Sequence, residues 1–168
     1  MRVACLQLTT KCDPQANLVD IRARVGQAVS AGAQLVALPE TCNFMEKRRD
    51  AMQARVTSQT KDIVAIGLAE LAQHHKIWLL AGSLVLAGEG GKAVNRSLVF
   101  APDGGLAASY DKIHMFDVTL ENGETHAESA SYQAGAQLAI ADLQVAKLGL
   151  SVCYDVRFPA LYRQLALA

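Results

Sequence analysis

Three stretches of the chain place a reactive side chain where an apolar run gives way to polar residues. Leu35-Val36-Ala37-Leu38-Pro39 leads into Glu40, Tyr110-Asp111 into Lys112, and Leu148-Gly149-Leu150-Ser151-Val152 into Cys153. A carboxylate, an ammonium and a thiol form a coherent set for acyl transfer. A thiolate is a strong nucleophile that a neighbouring cation stabilises. A carboxylate can take the thiol proton and hand it on to a leaving amine. An ammonium can stabilise the oxyanion of a tetrahedral intermediate. The residues after Cys153 (Tyr154-Asp155-Val156-Arg157-Phe158-Pro159) predict a sharp strand-to-helix turn like a nucleophile elbow, with the Tyr154 N–H aimed at the developing oxyanion. Each residue alone has an ordinary explanation. A cysteine after an apolar run is most often an inert core thiol, a glutamate after proline a turn residue, and a lone lysine a solvated charge.

What could unite them is the sheet that carries them, because ligands gather at the carboxyl ends of strands in α/β folds. Residues 2–9 alternate and predict a first strand. Asn17 reads as an N-cap, followed by Leu18, Ile21, Val25 and Val29 at helical spacing and by Gly32. Residues 34–39 predict a buried strand that stops at Pro39-Glu40. A second helical pattern starts at Thr60, runs through Ile63, Ile66 or Gly67, and Leu71, and ends near His74-His75-Lys76. Residues 77–82 predict a strand, and 94–100 with 106–110 a hairpin around Pro102-Asp103-Gly104-Gly105. Residues 111–135 are irregular and polar. Strands around 137–141 and 144–152 follow, then a helix near Phe158 with Pro159 in its first turn. This alternation predicts an α/β layered domain over residues 1–168. The last helical pattern reaches Ala168 without a cap, as expected of a domain cut short at its C-terminal end.

Composition narrows the partners. Among 168 residues, 51% are hydrophobic, and 16 basic residues balance 16 acidic ones. No field of one sign is available to attract nucleic acid or an anionic membrane, so neither partner is expected. No apolar run is long enough to span a bilayer, and the N-terminus reads as a strand rather than a signal peptide. Cys5, Cys12, Cys42 and Cys153 match no zinc or redox spacing, which predicts free thiols in a reducing cytoplasm. His74-His75 closes a helix, where it complements the dipole, and adjacent histidines diverge too far to share a metal. His114 and His126 raise a Cys–His hydrolase as an alternative arrangement. Gly88-Glu89-Gly90-Gly91 and the PDGG segment are turns without a phosphate-loop pattern.

Taken together and in order, LVALPE, YDKIHMFD and GLSVCYDVRFP resemble the three catalytic motifs of the nitrilase, or carbon–nitrogen hydrolase, superfamily. The longer context, KIHMFDV then AESASYQAG then LGLSVCYDVRFPALYRQLALA, resembles its Nit branch, and most closely the deaminated-glutathione amidases. The resemblance covers nearly the whole chain. It implies a four-layer α-β-β-α sandwich, a homodimer paired through helices beside the elbow, a small-molecule amide substrate, and no metal or organic cofactor. It also implies roles: Glu40 the general base, Lys112 the oxyanion stabiliser, Cys153 the nucleophile, and Glu128 a second glutamate that orients the lysine and the substrate amide. Tyr154 would supply its N–H. Arg157 would pair with a substrate carboxylate or, as the preferred reading, anchor the elbow to Asp155 or a neighbouring acid. Deaminated glutathione is the first expected substrate and 2-oxoglutaramate the second. A truncated, non-catalytic binding module is the rival from another class.

Overall fold

A computed structural model describes residues 1–168. Its strands are β1 (Val3–Cys5), β2 (Leu35–Ala37), β3 (Trp78–Ala87), β4 (Ala93–Phe100), β5 (Leu106–Asp111), β6 (Asp117–Thr119), β7 (Thr125–Ala127), β8 (Ile140–Asp142) and β9 (Lys147–Gly149). Its helices are α1 (Pro14–Ser30), α2 (Arg49–Arg55), α3 (Ile63–His75) and α4 (Pro159–Leu167). The first five strands form one sheet in the order β1-β2-β3-β4-β5, while β6-β7 and β8-β9 are separate two-stranded sheets.

Side-chain alternation sorts the layers. Leu79 and Ala81 of β3 and Leu98 and Phe100 of β4 face a core shared with Ile21 and Val25 of α1 and Leu68 and Ala72 of α3. Trp78 and Leu80 of β3 and Val99 of β4 face the other way, toward Leu143, Leu150 and Val152 of the β8–β9 segment. Behind that hairpin lies α4, with Leu165 against Gly149. The layers therefore run helix, sheet, sheet, helix, with two strands in the second sheet. The hairpin joining β4 and β5 and the helix opening at Pro159 form as the sequence predicts.

Several boundaries differ, each for a local reason. The N-cap of α1 is Asp13, whose Oδ1 accepts from the Gln15 N–H at 2.9 Å, with Pro14 in the first turn. Asn17 lies inside the helix and is buried, donating to the carbonyls of Lys11 and Asn43. The cap of α3 is Asp62 rather than Thr60, accepting from the Val64 and Ala65 N–H groups. Ile63 and Ile66 are exposed, and the buried face runs through Val64, Leu68 and Leu71. Gly67 turns inward because a Cβ there would come within 2.6 Å of Leu18. The strand expected over 2–9 keeps only residues 3–5 in the ladder, and those expected at 137–141 and 144–152 shorten to three residues each. α2 carries no apolar stripe and is held by Met52 against Phe44, Val85 and Ala93.

Strand direction brings the chemistry to one edge. β1, β2 and β3 are parallel, and β4 runs antiparallel between β3 and β5. The carboxyl ends of β2 and β5 and the start of β4 therefore share an edge, which puts Glu40, Lys112 and Asn95 side by side.

Candidate active site

Glu40 follows β2 in a turn that β3 shapes. The β3–β4 register shifts between Ala81 and Leu84, and Gly82 and Ser83 occupy the bulge. A Cβ on Gly82 would lie 2.1 Å from the Leu38 carbonyl oxygen, so only glycine lets the two backbones approach this closely. Next door, Ser83 Oγ accepts from the Thr41 N–H at 2.9 Å, and the Ser83 carbonyl accepts from the Cys42 N–H at 2.9 Å. Thr41 adopts φ +50°, a conformation rare for a β-branched residue. These contacts fix where the Glu40 side chain begins, and Asn95 Nδ2 fixes where it ends by donating to Oε1 at 2.7 Å.

Lys112 leaves β5 into the interior and is 1% exposed. Its Nζ donates to both oxygens of Glu128, at 2.9 and 2.7 Å, and lies 3.9 Å from Glu40 Oε1. Glu128 opens a short 3-10 turn after β7 and also accepts from the Phe116 N–H at 2.6 Å. A buried ammonium needs such pairing to stay charged.

Cys153 opens the 3-10 turn Cys153–Arg157 with φ +49°. Non-glycine residues in the left-handed region carry strain that the surrounding structure must impose. Here the imposing group is Asp155, which is 0% exposed. Its oxygens accept from Tyr110 Oη at 2.7 Å, the Val152 N–H at 2.9 Å, the His114 N–H at 3.0 Å and His114 Nδ1 at 2.6 Å. Asp155 thus ties the elbow to the segment that carries Lys112. Burial alone would raise its carboxyl, but the bonds from Tyr110, Val152 and His114 outweigh burial and hold it below the ordinary carboxylate value. The linkage sign follows: a carboxyl depressed in the folded state stabilises the fold above its unfolded value of about 3.9, and that contribution is lost as pH falls through the folded value. Asp155→Asn is expected to lose about 2–4 kcal/mol at pH 7 and to narrow its gap from the parent below about pH 4. Urea melts at both pH values check this, and an equal gap at both would refute it.

Glu40, Lys112, Glu128 and Cys153 converge on one cavity of about 390 Å³, completed by Phe116, His126 and Ala127. Cys153 and Glu40 line the same cavity, close enough for the carboxylate charge to act on the thiol. Its acidity is pushed up, first by burial and then by the Glu40 charge, with Lys112 pulling the other way. Burial and Glu40 thus disfavour the cation-stabilised thiolate that the residue types alone suggest. Tyr154 is the second residue of the turn, where a backbone N–H lacks a partner within its own helical turn, and its ring packs edge-on against Phe116 at 5.0 Å. Arg157 does not join the site. It is exposed and forms no ion pair with Asp155 or any other acid, because the turn carries it outward and Tyr110 and His114 already occupy Asp155. His114 faces Asp155 and stacks on Phe158, while His126 lines the cavity 3.1 Å from Glu124. His114 is therefore committed to Asp155, whereas His126 shares the cavity with Cys153. Cys42 is a core thiol, pushed up to about 12 by burial and by Asp62.

The carbon-nitrogen hydrolase family profile matches residues 2–168. The chain belongs to the carbon-nitrogen hydrolase family. It is 37% identical to a deaminated glutathione amidase from Synechocystis sp. over 97% of this chain and 61% of that protein. It is 31% identical to an omega-amidase from Homo sapiens over 95% of this chain and 57% of that protein. The chain thus spans about 61% of the length of the first of these relatives. Among solved structures it superposes on the C. elegans NitFhit protein with TM-score 0.84 at 29% identity, covering 95% of this chain and 39% of that one. It also matches a mutant amidase from Nesterenkonia sp. AN1 that carries acrylamide added to its active-site cysteine, with TM-score 0.79 at 28% identity over 97% of this chain and 61% of that one. No helix of the chain is long and apolar enough to cross a membrane.

Sequence reasoning passed over Gly82, Ser83 and Asn95. Two signals were present: an isolated glycine within a strand pattern suggests a bulge or close backbone approach, and an asparagine inside VNRSLVF is a polar group headed for the interior.

Proposed function

We propose that this chain carries the catalytic part of a cysteine-dependent amidase. The observation that carries the reading is the single cavity in which Cys153 and Glu40 lie beside the Lys112 that Glu128 clamps. Glu40 accepts the thiol proton as sulfur attacks the amide carbon. Lys112 and the Tyr154 N–H receive the developing oxyanion. The carbon–nitrogen bond breaks as protonated Glu40 gives its proton to the departing amine, leaving a thioester on Cys153. Water, deprotonated by Glu40, attacks the thioester, and the carboxylic acid leaves as the thiol regains its proton. Glu128 acts by fixing Lys112. Arg157 lies outside the cavity wall and contacts no reacting atom in this scheme.

Deaminated glutathione is the first-choice substrate, giving 2-oxoglutarate and cysteinylglycine. The support is the 37% identity to amidases of that name, against 31% to omega-amidases, whose 2-oxoglutaramate substrate would release ammonia. Both present the same acyl group, so only the leaving side separates them. Side-by-side assays are expected to give a kcat/KM at least about ten-fold higher for deaminated glutathione. The reverse ratio would reassign the chain to omega-amidase chemistry, and turnover of neither would return it to a non-catalytic role. The exposed Val156, Tyr162 and Leu167 around α4 support a homodimer formed beside the elbow. Four free cysteines suit a reducing cytoplasm.

A further inference from the structure

Asn95 belongs to neither the motifs nor the cavity wall, yet it touches both halves of the reaction centre. Its main-chain carbonyl accepts from the Lys112 N–H at 2.9 Å, and its side-chain Nδ2 donates to Glu40 Oε1 at 2.7 Å. The residue is 2% exposed, and Asn95 Oδ1 is the one buried side-chain polar atom without a partner. An interior acceptor left unmatched disfavours the fold, so the Oδ1 end of this amide does not explain its place here. What distinguishes it is its donor, whose partner is the carboxylate that shares the cavity with Cys153.

We propose that Asn95 is the positioning residue of the reaction centre, fixing the base through its side chain and the oxyanion lysine through its backbone. The inference rests on the amidase reading and extends it. A buried donor confines the Glu40 carboxylate to the rotamer that faces the thiol. Turned over, Oδ1 would oppose the carboxylate oxygen, so the charge on Glu40 in turn selects the amide orientation seen. The other charged or titrating groups around Glu40 are Lys112, Cys153, Glu128 and Tyr132.

The test compares Asn95→Asp with Asn95→Ala. The aspartate keeps the shape but sets a second negative charge beside Glu40. The acid limb of its kcat/KM profile is expected to move to higher pH by about one unit. Its kcat should fall at least about ten-fold, with KM changed less than about three-fold. The alanine variant, which lacks the donor but adds no charge, should shift the limb less. Limbs that coincide with the parent in both variants, with losses that follow only the folded fraction by circular dichroism, would overturn the proposal. Should the parent hydrolyse no amide, the amidase reading fails, and Asn95 is then judged by site-resolved iodoacetamide labelling of Cys153. Asn95→Asp is expected to slow that labelling about ten-fold near neutral pH, and an unchanged rate overturns the positioning role. If the aspartate variant does not fold, Asn95→Ala carries the same comparisons.

Discussion

Glu40→Gln is expected to slow amide turnover by about 10³-fold while making Cys153 react faster with an alkylating agent at neutral pH. The two effects share one cause. Burial and the Glu40 charge both push the thiol up, and on the proposed mechanism Glu40 takes its proton. Glutamine keeps the shape and can still accept from Asn95, but it removes the charge. Lys112 then acts on the sulfur with less opposition, thiolate becomes more abundant, and simple alkylation speeds up. Hydrolysis fails because nothing remains to protonate the departing amine or to activate water. Steady-state kinetics and mass-spectrometric labelling of Cys153 read the two effects separately. A parallel fall in both would mean that Glu40 holds the site together without serving as its base.

Gly82→Ala should be nearly as damaging, although Gly82 cannot touch a proton. The added methyl would meet the Leu38 carbonyl oxygen at 2.1 Å and the Pro39 carbonyl group at 2.6 Å, and both are backbone atoms with no rotamer to change. The segment before Glu40 must move, and the bonds from the Thr41 and Cys42 N–H groups to Ser83 stretch with it. A displacement near 1 Å at a reacting group costs about 10² in rate, and overpacking of this kind costs about 1–3 kcal/mol of stability. Gly26→Ala in α1 is the control, since nothing lies within 4 Å of the new methyl and helix propensity improves. Chemical denaturation and kinetics on both variants check the contrast. Equal behaviour would show that the bulge does not position Glu40.

The proposed catalytic residues Glu40, Lys112 and Cys153 could be read from the sequence because each follows an apolar run in a short, distinctive local pattern, whereas Glu128 came only with the family resemblance, and the four share a cavity. Residues that act across the fold could not be found so. Gly82 matters because of the backbone of residues 38 and 39, and Asn95 because of Glu40, and neither partner is near in sequence. Arg157 misled for the converse reason: proximity to Asp155 in sequence suggested an ion pair, whereas Tyr110 and His114 reach that carboxylate from far away. Helices followed the same division. α1 and α3 announced themselves by apolar periodicity, although Asp13 and Asp62 rather than Asn17 and Thr60 cap them. α2 buries a single side chain and left no periodic trace.

The two bonds from Lys112 Nζ to Glu128 bear on temperature as well as geometry. A lysine side chain free in water samples many rotamers, and freezing it opposes any step that requires it to stand still. Here the freezing is complete before a substrate arrives, so its entropic burden falls on folding and is absent from the activation barrier. On the proposed mechanism, the ordering of the Lys112 side chain therefore adds little to the entropic cost of the activation step.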